Sequence, residues 1–436
     1  MNAFVRACAG SFASMLASRI FGVTYPLLAL SISGSATEAG WVGFAWALPN
    51  VLFYVLAGAL VDRWDYRRVM LIADLIRGAA GLSLGVALLL GLPTFGHLVV
   101  VAFVEGSLGV FHSLAISAML PILTDGPELR SRLGSHEVAT HVAVLLGRPL
   151  GGLLFGVLMW IPFVANTLLC FASLAAVSTL PADERRPART RRRLLREIVY
   201  GFHTLWRFTM LRTATITTAL TNVVFHALTM IFYAHAASST SPIWIGVVVA
   251  MAGLGGVLGS SIARFSQDLA REIFGGRPRI RLGRFEIRLS SREWPRVSMW
   301  LLHLWLWVLA LAIPWFWGPT VWAFAGALAI MGISGGKSNV NIRMLVAEGV
   351  DQNAAGRVLS VSRLMGFGAI TLGPLLGGFL VGYLGVANAI YALLMVMVTA
   401  ALATTAIPRL RVLFFKQPQG EPVVLPNGRH LLPDPQ

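Results

Sequence analysis

The chain consists mainly of apolar runs that are about as long as a lipid bilayer is thick. Of its 436 residues, 56% are hydrophobic and only 12% are charged, whereas soluble domains carry about 25% charged residues. A bilayer core about 30 Å thick needs ~20 apolar residues per helix. The runs are continuously apolar and lack the alternation typical of membrane β-strands. The sequence therefore predicts an all-α membrane protein with twelve transmembrane helices.

The loops between these runs differ in charge in a regular way. Arginines occur in alternate loops, and the loops between them contain neither Arg nor Lys. Basic loops stay on the cytoplasmic side of a membrane, so both termini are expected to be cytoplasmic. This pattern also accounts for the formal net charge of +16, and no binding to nucleic acid is predicted.

The loop between the second and third helices has the sequence GALVDRWDYRR, residues Gly58–Arg68. An ordinary basic loop is one interpretation, but the order of Gly, Asp, Arg and a final Arg pair resembles motif A of the major facilitator superfamily. Asp65 stands where many members have Gly, and this variant is similar to the branch that contains the enterobactin and related efflux permeases. The resemblance implies a conformational switch in which Asp62 contacts the inner end of helix 11, and helix N-termini do attract carboxylates. Its residues would be Gly58, Asp62, Arg63, Arg67 and Arg68.

The two halves of the chain are related. The sequence GRPLGG at 147–152 matches GPLLGG at 373–378, and a second copy of motif A near Ala263 lacks the acid. With the resemblance, this implies two pseudo-symmetric six-helix bundles, the major facilitator fold. We predict an N-terminal bundle (1–180), a linker with an amphipathic helix (181–212), a C-terminal bundle (213–407) and a disordered cytoplasmic tail (408–436). The second bundle contains an inserted loop (264–296), whose alternating segment Arg279–Leu289 suits a short hairpin.

Charged residues inside membrane helices are costly, so each is a functional candidate. Arg19 lies in the middle of helix 1 and Glu105 in helix 4, and we predict that they pair. Burial and a nearby cation shift a carboxylate pKa in opposite directions, so such a pair is suited to proton coupling; a permanent structural ion pair is the alternative. Asp74 and Arg77, one turn apart in helix 3, are predicted to brace the cytoplasmic loop.

The remaining polar residues within helices fall into two groups. Arg148 either attracts an anionic solute or pairs with a neighbour, and His112 is read as a gate contact. Lys337, Asn339 and Asn341 are predicted to line the cavity or the inner gate, and Asn222, His226 and Tyr233 are cavity candidates of the same kind. The gate residues are predicted to be Glu137 and Arg363.

The function predicted from these features is proton-coupled efflux of a medium-sized organic solute, such as a siderophore, an antibiotic or a drug-like compound. The chain lacks a phosphate-binding loop with which to use ATP and a cluster of residues typical of an enzyme, so no cofactor or metal is expected. The predicted partners are a small-molecule substrate, protons and the lipid bilayer, for a monomer in a bacterial cytoplasmic membrane. The alternatives are an importer or lipid transporter of the same fold, or a membrane scaffold that transports nothing.

Overall fold

The structure is a computed structural model, and its description covers residues 3–61, 64–124, 129–181, 194–274, 279–282, 285–288, 294–350, 352–406, 423–424 and 430–431. These residues form thirteen α-helices and two short hairpins. The helices are α1 (Ala3–Ser33), α2 (Ala36–Leu52), α3 (Tyr54–Val61), α4 (Tyr66–Leu89), α5 (Phe95–Met119), α6 (Leu129–Val157), α7 (Ile161–Ser178), α8 (Leu194–Arg207), α9 (Thr209–Ala236), α10 (Pro242–Phe274), α11 (Trp294–Phe316), α12 (Val321–Gly349) and α13 (Gln352–Ala406).

Twelve membrane crossings follow from these thirteen helices. Eight are long and apolar enough to cross a membrane, and Trp300–Phe316 is a shorter apolar helix. The last of the eight, α13, divides at Gly385, whose φ of 75° interrupts the helix, so it supplies two crossings. The pair α2 and α3, broken only at Phe53, supplies one crossing, and α12 supplies another. The number of crossings predicted from the sequence is confirmed.

The helix α8 does not cross the membrane. It is the amphipathic helix predicted between the two halves, and it packs against the start of α13. Leu205 is buried, whereas Val199, Phe202 and Trp206 are exposed, as expected for a helix with one apolar face toward lipid.

Two hairpins lie outside the helical part. The strands β1 (Arg279–Leu282) and β2 (Phe285–Arg288) pair antiparallel, with Arg281 opposite Glu286, as predicted for the inserted loop. The strands β3 (Val423–Val424) and β4 (His430–Leu431) form a minimal second pair. The other residues of the predicted tail lie outside the described residues. The proposed domain boundaries stay a prediction.

The helices form two groups, α1–α7 and α9–α13, that meet along two lines. In one, α2 packs against α13, and in the other α6 packs against α10. The ends of the helices define two faces. The terminal face is the one at which α1 begins and α3 ends, where Phe4, Val61 and Met119 share a small core. The opposite face lies at the other ends of these helices.

The two groups touch closely in the half of the protein near the opposite face. A Cβ atom on Gly378 of α13 would lie 2.5 Å from the carbonyl oxygen of Ala36, and one on Gly40 would lie 2.8 Å from that of Pro374. Glycines of α6 and α10 also approach each other's backbone, at Gly152 and Gly246. Small residues permit such close helix packing in membranes. These contacts close the opposite face.

Toward the terminal face the groups separate between α6 and α10, although α3 still contacts α13. In the first part of α6, Leu133, Val138, His141 and Val142 are exposed, whereas Arg132 and His136 contact α1. This exposure ends where α6 reaches the glycine contacts with α10. A space between the two groups therefore opens toward the terminal face.

We expect Gly378→Ala to destabilise the closed contact. The added methyl group must push the helices apart, and overpacking typically costs about 1–3 kcal/mol. Gly368→Ala on the same helix is the matched control, because a Cβ atom there meets nothing within 4 Å and Ala favours a helix over Gly. Thermal unfolding of the purified proteins should show a lower midpoint for Gly378→Ala only. Equal midpoints for both variants would contradict this account of the contact.

Candidate functional site

A cavity of about 580 Å³ lies between the two groups of helices. Its walls come from α1, α2, α4, α5 and α6 on one side and from α9, α10 and α13 on the other. Cavities of about 300–1,000 Å³ accommodate drug-sized molecules. The cavity is therefore large enough for a medium-sized organic solute that contacts both groups at once.

The deepest acid of the cavity wall, Glu105 on α5, binds Arg77 on α4. The Arg77 Nη2 and Nε atoms donate to Glu105 Oε1 at 2.6 and 2.9 Å. Ser18 on α1 accepts from Arg77 at 2.7 Å and lies 3.5 Å from the same carboxylate oxygen. The second oxygen, Glu105 Oε2, is buried and has no hydrogen-bond partner among the described residues.

A second acid, Asp74 on α4, contacts the same arginine. Its Oδ1 atom accepts from Ser14 at 3.0 Å and lies 3.2 Å from Arg77 Nη1. His112 Nδ1 lies 3.1 Å from Oδ1, and Ser173 of α7 donates to Oδ2 at 2.6 Å. We call Asp74, Arg77, Glu105 and His112 the charge cluster. It joins α4 and α5 directly, and α1 and α7 through serines.

The charge cluster corrects three predictions. The predicted pair of Arg19 and Glu105 is wrong, because Arg77 takes that carboxylate and no hydrogen bond or ion pair joins Arg19 to it among the described residues. Arg77 is 1% exposed and points into the bundle, so the pair with Asp74 does not brace the loop. His112 is not a gate contact, because it faces Asp74.

Two arginines, Arg19 and Arg148, line another part of the cavity. The backbone of α1 at Arg19 packs directly against Gly147, which places the two arginines on adjoining turns of α1 and α6. Arg148 Nη1 donates to the carbonyl oxygen of Val249 on α10 at 3.1 Å, which links the two groups of helices. His226 of α9 also lines the cavity, as predicted. Tyr233 of α9 lines the cavity as well, as predicted, and its hydroxyl donates to Gly22 O at 3.3 Å.

The polar residues of α12 lie elsewhere. Lys337 and Asn341 line a separate small pocket with His303 and Ser334, between α11 and α12. Neither they nor Asn339 nor Asn222 belongs to the lining of the central cavity. For Lys337 and Asn341 the prediction as cavity residues is wrong because these side chains face α11 and not the space between the groups. Asn339 is exposed on α12, and the side-chain amide of Asn222 on α9 faces Gly366 of α13.

The two predicted gate residues lie near the terminal face. Glu137 on α6 is exposed and lines the cavity. Arg363 on α13 donates to the Tyr54 hydroxyl at 3.3 Å, and the Tyr54 and Phe367 rings are 5.0 Å apart. This contact joins α3 to α13 across the two groups. The role of both residues as a gate stays a prediction.

The motif A loop is described only in part. Asp62 and Arg63 lie outside the described residues, and Gly58 lies in α3. Asp65, which stands where many members of the family have Gly, caps α4: its Oδ1 atom accepts a hydrogen bond from the Arg67 backbone N–H at 3.0 Å. Its Oδ2 atom lies 3.5 Å from Arg68 Nε. Arg67 donates to the carbonyl oxygen of Ser178 at the end of α7. These contacts lie within the first group of helices, and the predicted switch stays a prediction.

The sequence is similar to those of known efflux proteins. It is 27% identical over 418 residues to the multidrug efflux pump Tap of Mycobacterium tuberculosis, covering 92% of this chain and 93% of the relative. It is 28% identical over 170 residues to macrolide efflux protein A of Streptococcus pyogenes, covering 39% of this chain and 40% of that protein.

The fold is similar to those of solved transporters. A mutant of the nucleoside transporter NupG matches with a TM-score of 0.72 at 13% identity, over 93% of this chain and 99% of that chain. A bacterial homologue of the human lysosomal transporter Spinster, in an inward-facing and unoccupied conformation, matches with a TM-score of 0.64 at 13% identity, over 95% of each chain. The family model of the Major Facilitator Superfamily matches residues 7–285. With twelve crossings in two bundles around a central cavity, this chain belongs to the Major Facilitator Superfamily and is a membrane transporter of small molecules.

Proposed function

We propose that the protein exports a medium-sized organic solute from a bacterial cell in exchange for protons, acting as a monomer in the cytoplasmic membrane. The observation that carries this proposal is the cavity between the bundles, with the charge cluster in its wall. The terminal face is then the cytoplasmic face, because both termini are predicted to be cytoplasmic from the basic loops. The cavity opens to the side from which an exporter collects its solute.

The relatives support the direction of transport. The names of Tap and of the macrolide efflux protein both describe export, and the similarity to Tap extends over 92% of this chain. An importer or a lipid transporter would have the same architecture. A transport assay therefore has to measure direction separately.

The number of charges in the charge cluster supports its role as the binding site of the coupled proton. Asp74 and Glu105 are two acids, and Arg77 is one permanent cation buried between them. One additional proton makes this set neutral, and Glu105 Oε2 is the oxygen without a partner. Burial disfavours a net charge, so the cluster is suited to take up one proton, on Glu105 or on His112 beside Asp74.

Protonation of Glu105 would also change how the helices hold together. A neutral carboxyl binds a guanidinium less strongly than a carboxylate does. The link from α5 to α4 would weaken, as would the donation from Ser18 on α1 to the Glu105 carboxylate. The proton would thus alter the packing of three helices that line the cavity, which is how it would bias alternating access.

We expect Glu105→Gln to abolish uphill transport and to retain exchange. The amide cannot take up a proton, but it retains the shape of the side chain. In proteoliposomes with an imposed pH gradient, solute accumulation should fall at least tenfold. Counterflow of labelled against unlabelled solute, which needs no net proton movement, should stay within about threefold of the unmodified protein.

The matched control for this experiment is Glu38→Gln. Glu38 lies in the first turn of α2, outside the cavity lining, and its side chain makes no hydrogen bond or ion pair among the described residues. This variant should accumulate solute normally. Normal pH-driven accumulation by Glu105→Gln would contradict the coupling role and leave a permanent ion pair as the better interpretation.

We expect Arg77→Met to destabilise the protein and a second change to compensate. Removing one partner of a buried ion pair typically costs about 3–5 kcal/mol, because it leaves the other charge unpaired. Adding Glu105→Gln to Arg77→Met removes one of the unpaired charges and should recover part of the loss. Thermal unfolding of both single variants and the double variant measures this coupling. Strictly additive changes would show that the pair contributes no coupling.

For the motif A switch, we expect Asp62→Asn to fold normally but to slow the transport cycle. The amide keeps the size of the side chain but loses the charge that a helix N-terminus attracts. The turnover rate in proteoliposomes should fall at least tenfold, while the thermal midpoint and solute affinity stay close to normal. Normal turnover would contradict the role implied by the resemblance.

A further inference from the structure

One part of the cavity wall carries two positive charges close together. Arg19 of α1 and Arg148 of α6 both line the cavity, and Gly147, the neighbour of Arg148 in the chain, packs directly against Arg19. We call these two residues the cationic site. Arg19 lies midway along α1, between Ala3 and Ser33, so the site lies at middle depth in the membrane. Two like charges at this depth are unfavourable unless something compensates them.

The acids of the cavity do not compensate the cationic site. Only two acidic residues belong to the described lining, Glu105 and Glu137. Glu105 already accepts two short hydrogen bonds from the Arg77 guanidinium, so its charge is paired there. Glu137 is exposed near the terminal face, about 16 Å along α6 from Arg148 at 1.5 Å per residue. The sequence contains no Asp or Glu from Thr209 to Ala263, from Trp300 to Val346, or from Gln352 to Ala406, so the second bundle offers none at this depth.

Hydrogen-bond donors without acceptors surround the same space. Arg19 Nε is buried without a partner among the described residues, and so is the hydroxyl of Tyr25, which is 1% exposed. Arg148 uses one described hydrogen bond, to Val249 O, and a guanidinium has five N–H donors. Tyr25 and both arginines line the cavity. The missing partner is therefore an acceptor, and preferably a charged one.

We propose that the solute carries an acid group, such as a carboxylate, sulfonate or phosphate, which binds at the cationic site between Arg19 and Arg148. This inference rests on the proposed transport function and specifies its substrate class. A cleft lined by one sign of charge with walls of low dielectric concentrates ions of the opposite sign. A planar guanidinium binds carboxylate and phosphate groups through two parallel hydrogen bonds.

The rest of the wall defines the other part of the solute. Apolar and aromatic side chains from both bundles line the cavity, including Phe21, Trp46, Phe225, Met230 and Phe367. Burial of an apolar or aromatic body against these residues would add to the binding of its acid group. The substrate class is an amphiphilic organic anion of a size that fits about 580 Å³.

Binding of two dyes with the same ring system tests this inference separately from transport. Carboxyfluorescein is an anionic xanthene dye, and rhodamine 6G is a cationic one of similar size. The purified protein in nanodiscs should bind carboxyfluorescein at least tenfold more tightly, measured by fluorescence anisotropy. Arg19→Gln and Arg148→Gln should each weaken that binding at least tenfold, whereas Arg148→Lys, which keeps the charge but loses the planar pair of donors, should weaken it less than Arg148→Gln.

The matched control is Arg207→Gln, which removes an exposed arginine of α8 outside the cavity and should leave dye binding unchanged. Monodisperse elution and an unchanged thermal midpoint show which variants are folded. Tighter binding of rhodamine 6G, no measurable binding of carboxyfluorescein, or undiminished carboxyfluorescein binding by both folded Gln variants would overturn the inference. Selective binding of carboxyfluorescein without any flux of it in proteoliposomes would support the cationic site and count against the proposed export.

Discussion

The N-terminal bundle depends on the guanidinium of Arg77. An isolated charge in the middle of a membrane helix is costly, and this one is stabilised by contacts with Glu105, Asp74, Ser14 and Ser18. These partners come from three helices, so the cation fixes how α1, α4 and α5 rotate about their axes. The same arrangement leaves two acids around one arginine. The same cluster that positions the helices therefore becomes neutral when it takes up a single proton.

The two bundles are held together by contacts of a different kind. At the opposite face they meet through glycines, where the backbones of α2 and α13 and of α6 and α10 touch. Such contacts are made by van der Waals packing, and few charged groups have to separate when they part. Hydrogen bonds also join the bundles beside the cavity, from Arg148 to Val249 O and from Tyr233 to Gly22 O. Binding of a ligand in the cavity can thus affect the glycine contacts that close the opposite face.

The sequence was sufficient for the architecture and not for the site. Long apolar runs and alternating basic loops determine how many times a chain crosses the membrane, and both can be read directly from the residues. Contacts between helices depend on which side of each helix faces its neighbour, and α5 could have presented Glu105 to α1 or to α4. The prediction chose Arg19, whereas Arg77, 28 residues before Glu105, is the partner. Lys337 was misplaced for the same reason, because a polar helix side in a membrane can face a neighbouring helix as well as a cavity.

An anionic solute changes what the proton has to do. A proton added to the charge cluster and an anion bound at the cationic site attract each other, so charge alone favours their binding together. Exchange then requires that the two ligands stabilise different arrangements of the helices, and the link from Arg77 to α1 and α5 supplies a route for this. The membrane potential adds to the driving force. Moving one monovalent anion out and one proton in transfers two charges, worth about 4.6 kcal/mol per 100 mV, so a single proton is sufficient to drive strong accumulation outside the cell.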